Sequence, residues 1–411
     1  MTRSKAVRYL AGSLRVAIAI AAAMCVLWSI APPAYAQTFQ VIHFFTGPDG
    51  TDPAAGLTMD SAGNLYGTAD SGGQYGNGTV FKLRLYDATW IFMPLYSFHG
   101  ASDGGGPMAP LAFGPSGALY GTTANYASVF NLRPSANRPA QFMPWVLTSL
   151  YLTQQFLPGG NLAFDQAGNI YGASIAGGNP ACYAGCGFIY ELSPSGNSWT
   201  ETAIYSFTDM SDGAEPVSVT IDHAGNLYAP TFAGGINNQG TIFELTPSGS
   251  GWSSQTIYSF NGNSGVQPQA GLIADAAGNF YGTTAWVTNG SGTVFELSPS
   301  GNGWTYTVLY TLPQEYRGGA VSSLTMDGEG NLYGTVDGYC EECSGVVYKL
   351  THRSGGWTYT DLHDFTWDGS GGGHPHGGVV IGANGNLYGT ASTGGMGCEG
   401  LGCGVVWEIT P

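Results

Sequence analysis

The sequence predicts an all-β protein, a seven-bladed β-propeller with four-stranded blades, in which the N-terminal strand completes the last blade. Three observations lead to this prediction. One short motif recurs seven times, each period contains four strand signals, and the two chain ends supply complementary parts of one period. A fixed period of roughly 50 residues indicates one supersecondary unit copied along the chain, and such a unit cannot bury its apolar faces alone.

The recurring motif is Gly-Asn-Leu-Tyr, followed in most copies by Gly-Thr. Its leading residues lie 51 to 57 positions apart. In chain order they are Gly63, Gly117, Gly168, Gly225, Gly278, Gly330 and Gly385. No helical heptad or long low-complexity linker interrupts the series, so we predict a single domain over residues 37–411.

Four strands can be assigned within the fifth period. Residues 270–274 and 279–284 are short apolar runs separated by a turn, and 292–297 and 304–310 follow after Gly-rich and Pro-rich segments. Short runs rich in β-branched and aromatic residues, bounded by Gly, Pro and Asn, are typical of strands. Several runs are apolar at both alternate positions, which predicts sheets covered on both faces, as in a propeller.

The two chain ends favour a closed ring over a linear β-solenoid. The chain stops at Pro411, where other copies continue into a fourth strand, and residues 38–45 resemble 305–312 in pattern. We therefore expect the N-terminal strand to complete the seventh blade, which leaves no open edge between the first and last units.

The first 36 residues have the pattern of a signal peptide. Arg3, Lys5 and Arg8 precede an apolar run over 16–30, and Ala34-Tyr35-Ala36 forms a small-residue cleavage site. A signal anchor that stays attached is the alternative. Cleavage near Ala36 would give a secreted protein, extracellular or periplasmic, with no membrane span in the mature chain.

The mature chain is strongly acidic. Without residues 1–36 it keeps 7 basic and 27 acidic residues, a formal charge of −20. Such a surface repels phosphate backbones and anionic lipids, so we expect neither nucleic acid nor a membrane as partner.

Five copies of the motif are preceded by aspartate in the pattern Asp-x-x-Gly-Asn. These are Asp60, Asp165, Asp222, Asp275 and Asp327, and Gly114 and Gly382 replace the aspartate in copies two and seven. Calcium ligands are one interpretation, because carboxylate and amide oxygens suit a hard cation. We favour a tight turn in which the carboxylate caps backbone amides, because each copy supplies too few ligands. No metal site is predicted.

Tyrosine in the second strand and tryptophan at the start of the fourth also recur. They could be platforms on which sugars stack. We predict packing between blades instead, because a residue that is present in nearly every blade usually serves the core.

The mature chain contains six cysteines in three local pairs. An even number of cysteines in an exported protein favours disulfides, here Cys182–Cys186, Cys340–Cys343 and Cys398–Cys403. A zinc site that joins the last two pairs is the alternative.

The loops that enter the blades carry acidic residues and histidines, and a propeller would gather these loops on one rim. This rim is where we expect a cation or carbohydrate ligand, whereas solvated Asp-Gly turns are the alternative. The candidate ligand-binding residues are Asp49, Asp52, Asp103, Asp212, Asp368, His374 and His376.

The repeat pattern resembles the GloVer tandem repeat of bacterial secreted proteins, which are often described as choice-of-anchor proteins. The resemblance rests on Asp-x-x-Gly-Asn-Leu-Tyr-Gly-Thr, Gly-Thr-Val-Phe-Glu-Leu and Pro-Ser-Gly-x-Gly-Trp, and it covers residues 38–411. It implies a bacterial protein at or outside the cell surface. It carries no established activity and no catalytic residues, and the sequence ends without the sorting tail of anchored members.

Three functions are compatible with these features, and one of the three is a structural role in which blade edges mediate assembly. The first is a noncatalytic propeller that binds a polysaccharide or a cell-surface protein, with no cofactor and no catalytic residue. It is favoured because no nucleophile elbow, phosphate-binding loop or HExxH motif occurs. The second is a carbohydrate lyase or hydrolase that uses Asp103, Asp212, Asp368 or His374 as acid and base groups.

Overall fold

The structure is a computed structural model. It describes residues 37–135, 145–152, 158–196, 198–287, 290–301, 303–314, 322–338, 344–366, 371–395, 398 and 400–411. The predicted signal peptide, the Cys340–Cys343 pair and Asp368 lie outside the described residues.

The described residues form seven antiparallel sheets, which are the seven predicted blades. Blade one contains β2 (Thr58–Met59), β3 (Leu65–Ala69), β4 (Thr79–Tyr86) and β5 (Thr89–Ser97). Blade two contains β6 (Ala112–Phe113), β7 (Leu119–Thr123), β8 (Ser128–Pro134) and β9 (Trp145–Leu152). Blade three contains β10 (Pro158–Phe164), β11 (Ile170–Ser174), β12 (Phe188–Ser195) and β13 (Ser198–Ser206).

The remaining blades follow the same order, and blade four has an additional short strand at its entry. Blade four contains β14 (Ala214–Pro216), β15 (Thr220–Ile221), β16 (Leu227–Ala233), β17 (Thr241–Ser248) and β18 (Gly251–Ser259). Blade five contains β19 (Ile273–Ala274), β20 (Phe280–Val287), β21 (Gly290–Ser300) and β22 (Gly303–Thr311). Blade six contains β23 (Thr325–Met326), β24 (Leu332–Val336), β25 (Val346–Arg353) and β26 (Gly356–Asp364). Blade seven contains β27 (Val380–Ile381), β28 (Leu387–Ala391) and β29 (Val405–Thr410), with β1 (Thr38–Phe44) as its outer strand.

The predicted closure is confirmed, because β1 pairs with β29 at the outer edge of blade seven. Glu408 on β29 lies at this joint, where its carboxylate accepts hydrogen bonds from Gln40 Nε2 at 2.6 Å and Trp90 Nε1 at 3.3 Å. Near the channel, Thr390 Oγ1 donates to the Ala55 carbonyl at 2.8 Å and joins blade seven to blade one. Hydrogen bonds therefore close the ring at both its outer and its inner side.

The glycine of the repeated Tyr-Gly-Thr lies under an aromatic side chain of the third strand. A Cβ added at Gly121 would lie 2.6 Å from Phe130 Cζ and 3.0 Å from Leu111 Cδ2. Equivalent glycines lie under Phe81, Phe295 and Tyr348. The motif thus requires glycine because a flat ring covers the strand backbone closely.

The aspartate of Asp-x-x-Gly-Asn caps the turn as predicted. Asp275 Oδ1 accepts the N–H groups of Ala277 and Asn279, each at 2.9 Å. Its Oδ2 accepts Asn279 Nδ2 at 2.8 Å and the Tyr281 hydroxyl at 3.1 Å. Burial alone would raise the pKa of Asp275, but these hydrogen bonds outweigh it and lower the pKa below its usual value.

The repeated aromatic residues pack between blades, as predicted. Tyr281 is buried, and Trp304 contacts Tyr228 of the preceding blade edge-on with ring centroids 5.8 Å apart. Trp90 contacts Tyr388 in the same way at 5.5 Å. The hydrophobic clusters accordingly combine side chains from neighbouring blades, so the core lies between the sheets.

Candidate functional site at the channel mouth

Seven chain segments that lead into the first strands converge on a central channel. They line a mouth with a cavity of about 410 Å³, and a second cavity of about 260 Å³ continues inward. Both cavities share a ring of small side chains: Gly56, Pro110, Asn161, Gly271, Ser323 and Gly378. The side chains at this ring are small because neighbouring segments are in contact there. A Cβ added at Gly378, for example, would lie only 2.9 Å from Ser323 Oγ.

Three of the predicted rim residues hold their own loops. Asp103 accepts a hydrogen bond from the Tyr96 hydroxyl at 2.5 Å and from the His99 N–H at 2.9 Å. Asp212 accepts the Tyr205 hydroxyl at 3.0 Å in the same manner. Both aspartates are buried. Their carboxylates tie each entry loop to the fourth strand of the preceding blade and do not line the mouth.

Asp49 has the same role where blade seven meets blade one. Its Oδ1 accepts the Thr46 N–H at 2.8 Å, and its Oδ2 lies 3.0 Å from His43 Nε2. Burial lowers the pKa of His43, and the neighbouring Asp49 only partly opposes this shift. Asp49 therefore belongs to the ring closure.

Asp52 and His376 do line the mouth, on adjacent blades. Asp52 is exposed, and its carboxylate accepts no hydrogen bond from the described residues. The concave walls still remove part of its water, so burial and the neighbouring Asp70 raise its pKa, while His376 acts in the opposite direction. The two aspartates are close because the Asp70 N–H donates to the Asp52 carbonyl at 3.0 Å.

His374 lies beside the mouth and is held by Asp337. Asp337 is 1% exposed, and its Oδ1 lies 2.7 Å from His374 Nδ1. Its Oδ2 lies 3.7 Å from His376 Nε2. The hydrogen bond to Asp337 raises the pKa of His374 against the effect of burial.

Sequence reasoning did not identify Asp337. It directly follows the second strand of blade six, as Asp70 follows that of blade one. Other blades have Ala124, Ile175, Ala285 or Ser392 at this position. An aspartate that interrupts an apolar or small position was therefore a signal in the sequence.

The opposite side of the mouth carries neutral polar side chains. Ser218 is 2% exposed, lines the cavity, and its Oγ has no hydrogen-bond partner among the described residues. Asn161 and Gln269 line the same cavity and are exposed to it. Sequence reasoning missed all three residues, because Ser, Asn and Gln are common in loops of this chain.

Exposed aromatic residues stand on the same rim as the mouth. Tyr75, Tyr126, Tyr183 and Trp286 lie in or beside the connections between second and third strands of blades one, two, three and five. These connections meet the entry loops through short β-bridges, such as Thr51 with Ser71. Unlike the repeated tyrosines and tryptophans, these four have no counterpart in every blade.

Two of the predicted disulfides are present in the structure. Cys182 is bonded to Cys186, and Cys398 is bonded to Cys403. Because Cys398 and Cys403 are bonded to each other, the zinc interpretation loses two of its four ligands. Within the described ranges, no group of three or more His, Cys, Asp or Glu residues has a metal-binding arrangement.

The fold is shared with solved structures of low sequence identity. A protein from Lactobacillus plantarum matches with a TM-score of 0.52 and 14% identity, over 85% of this chain and 99% of that chain. A putative 6-phosphogluconolactonase from Bacteroides uniformis matches with a TM-score of 0.51 and 15% identity, over 80% of this chain and 89% of that chain. At these identities the likeness shows the fold alone.

No curated protein is significantly similar in sequence. Across the described ranges, no helix has the length and apolar character needed to span a membrane. The family model of the Gloeobacter/Verrucomicrobia repeat matches three times, over residues 25–144, 124–285 and 250–411. These matches cover nearly the whole chain and bear out the resemblance seen in the repeat. The chain belongs to the Gloeobacter/Verrucomicrobia repeat family.

Proposed function

We propose that this protein is an exported, noncatalytic propeller that binds the end of a polysaccharide in the channel mouth. The observation that carries the proposal is Ser218, a buried hydroxyl that lines the cavity without a partner. A buried polar group without a hydrogen bond costs roughly 1–3 kcal/mol, and rotation of the Ser218 side chain toward a ligand hydroxyl would remove that cost.

The size and chemistry of the mouth suit a sugar. Its volume of about 410 Å³ lies in the range of small-molecule sites. Small residues expose backbone groups, and Asn161, Gln269 and Ser323 add donors and acceptors. A sugar has donors and acceptors on every edge, so a wall of this kind can pair with several of its hydroxyls.

The rim gives further sugar units a place to bind. Tyr183 is fully exposed, and Tyr75, Tyr126 and Trp286 are exposed over more than a third of their surface. Tyrosine and tryptophan combine an apolar ring with a polar O–H or N–H group, so they suit contacts in which one part of the ligand is apolar and another part stays hydrated. A chain whose end occupies the mouth would pass over these side chains.

Export is supported by the N-terminal pattern and by the disulfides. Residues 1–36 have the charge and hydropathy of a signal peptide. Disulfides such as Cys182–Cys186 persist in oxidising compartments outside the cytosol. Both features support a place at or beyond the cell surface, and fractionation of the native host for the mature protein tests this part.

A glycan array probed with the purified mature chain tests binding. Gln269→Trp should block the mouth and abolish the signal, because Gln269 lines the cavity. Thr307→Trp is the matched control, since Thr307 is exposed on the outer strand β22 and should keep it. A protein that binds no glycan, or whose binding survives Gln269→Trp, would overturn the proposal. Capture of an envelope protein in place of glycans would favour a protein partner.

One observation favours the enzymatic alternative. The buried Asp337 orients His374 beside the mouth, and the carboxylate of Asp52 lines the mouth itself. A carboxylate–imidazole pair and a second carboxylate therefore lie on the same side of the channel. Such groups can transfer protons in glycoside or lyase chemistry. Incubation of bound oligosaccharides with the protein, followed by chromatography, tests this alternative. Shortened or unsaturated products that disappear in His374→Gln would establish catalysis.

A further inference from the structure

We propose that the mouth selects an amino sugar with a free, protonated amine, and that Asp52 is the residue that recognises this amine. The inference rests on the proposed polysaccharide function and specifies its ligand. It follows from the division of the mouth into an acidic side and a neutral hydrogen-bonding side.

The acidic side lies where blades six, seven and one meet. Asp52 lines the cavity, the Asp70 N–H donates to the Asp52 carbonyl, and Asp337 is buried beside His374 and His376. Among the mouth-lining residues that the structure describes, none is Lys or Arg. The described wall thus sets a carboxylate, Asp52, beside a single imidazole, His376, and the overall acidity of the chain favours a cation there.

The carboxylates on this side differ in what they already bind. Asp337 is paired with His374, and Asp70 accepts the Ser71 hydroxyl at 3.0 Å. The Asp52 carboxylate accepts no hydrogen bond from the described residues, and the nearby Asp70 opposes its charge more than His376 favours it. A cation that binds at Asp52 would offset this repulsion and supply the missing donors.

The neutral side provides an independent indication of a ligand. Ser218 Oγ is buried and unpartnered there, and Asn161 and Gln269 line the same cavity. Blade four, which carries Ser218, lies across the ring from blade one, which carries Asp52. A ligand that satisfies both sides must present hydroxyls on one edge and a positive charge on the other, as an amino sugar does.

Isothermal titration of the full mature chain at pH 6, where a sugar amine is protonated, tests the selection. The probes are glucosamine tetramer, N-acetylglucosamine tetramer and an unsubstituted β-glucan tetramer. We expect the amine form to bind most tightly and its affinity to fall with added salt, because the contact is between charges. Asp52→Asn should weaken glucosamine tetramer binding about tenfold or more and leave the neutral glucan nearly unchanged.

Glu215→Gln is the matched control. Glu215 occupies the equivalent position before the entry proline of blade four, has the same left-handed backbone at φ 56°, and does not line the cavity. It should keep the preference for the amine. An equal loss in Glu215→Gln would overturn the assignment to Asp52, because it would show attraction by the acidic surface as a whole.

The outcomes separate this inference from the proposed function. Binding of all three tetramers with equal affinity, or a preference that persists in Asp52→Asn, would overturn the amine selection and leave polysaccharide binding standing. No binding of any probe here, together with a blank glycan array, would overturn both.

Discussion

The two ends of each first strand differ in how completely their polar groups are satisfied. At the hairpin end, Asp275 and its equivalents accept three or four hydrogen bonds each within one turn. At the mouth, the carboxylate of Asp52 and the hydroxyl of Ser218 have no hydrogen-bond partner among the described residues. The hairpin end is the same in five blades, whereas the mouth differs from blade to blade.

This contrast separates scaffold from site. A side chain that occurs in every blade has its partners within the repeat, as Tyr281 has with Asp275. A side chain that varies from blade to blade lacks a partner supplied by the repeat, and Asp52, Ser218 and Tyr183 are of this kind. Function is therefore expected where the repeat fails, and stability where it holds. Four predictions test this division.

The largest expected effect is on the repeated glycine. Gly121→Val should lower the free energy of unfolding by about 3 kcal/mol, because the new side chain would overlap Phe130 and Leu111. Gly303→Val is the control, since nothing lies within 4 Å of a Cβ at Gly303. Chemical denaturation measures both variants, and equal stabilities would contradict the packing role of the glycine.

The capping aspartate should have a smaller effect of about 2 kcal/mol. Asp275→Ala leaves two backbone N–H groups and the Tyr281 hydroxyl without their acceptor. Because the pKa of Asp275 is lowered in the folded protein, its contribution is present above the usual pKa near 3.8 and disappears as the pH falls through the folded value. The difference in unfolding free energy between wild type and variant should therefore be smaller at pH 3 than at pH 7. Asp361→Ala, at an exposed position on β26, should have no comparable effect.

The closure of the ring should depend on pH through His363. Its ring stacks on Phe39 of β1 at 3.6 Å, and burial lowers its pKa to about 4, although Asp364 opposes the shift. His363 of the unfolded chain binds a proton below about pH 6.5, whereas His363 of the folded chain binds one only near pH 4. The free energy of unfolding therefore decreases as the pH falls from about 6.5 to about 4.

His363→Tyr removes this titration and places the tyrosine found at this position in other blades. Between pH 7 and pH 5, wild type should lose about 1.5 kcal/mol more stability than the variant. His43 is unchanged in both proteins, so its own titration cancels from the difference. Identical pH profiles would show that His363 titrates normally.

The smallest effect is a gain in stability. Glu215 has φ 56° and Gln267 has φ 54°, while blade two has Gly106 at the equivalent position with φ 63°. Glu215→Gly should raise the free energy of unfolding by about 1 kcal/mol, because glycine adopts this backbone without strain. Binding should be unchanged, since Glu215 does not line the mouth. A destabilised variant would show that the glutamate side chain supports its loop.

The sequence predicted the scaffold well for a physical reason. Strand periodicity, turn residues and the strand patterns of the two chain ends can each be read within one short segment. The closure of the ring by β1 followed from these patterns. The candidate site was predicted less completely. The entry loop of blade one carries two aspartates three positions apart, yet Asp49 caps the loop whereas Asp52 lines the mouth.

Residues that meet across blades were harder to predict. Asp337 pairs with His374, which is 37 positions away, and Ser218 matters only because the ring places it in the channel wall. Tyr183 was not distinguished from the packed tyrosines, although it lies within a disulfide loop and outside the repeated strands. These relations depend on the closed ring, and one chain segment does not contain them.

Removal of one carboxylate from each end tests the central claim most directly. Asp52→Asn and Asp275→Asn each remove one negative charge, and both are measured for unfolding free energy and for affinity toward the glucosamine tetramer. We predict that Asp52→Asn keeps the stability and loses the affinity, whereas Asp275→Asn loses stability and keeps the affinity while folded. The reverse pattern, or loss of affinity in both variants under conditions where both are folded, would contradict the division between scaffold and site.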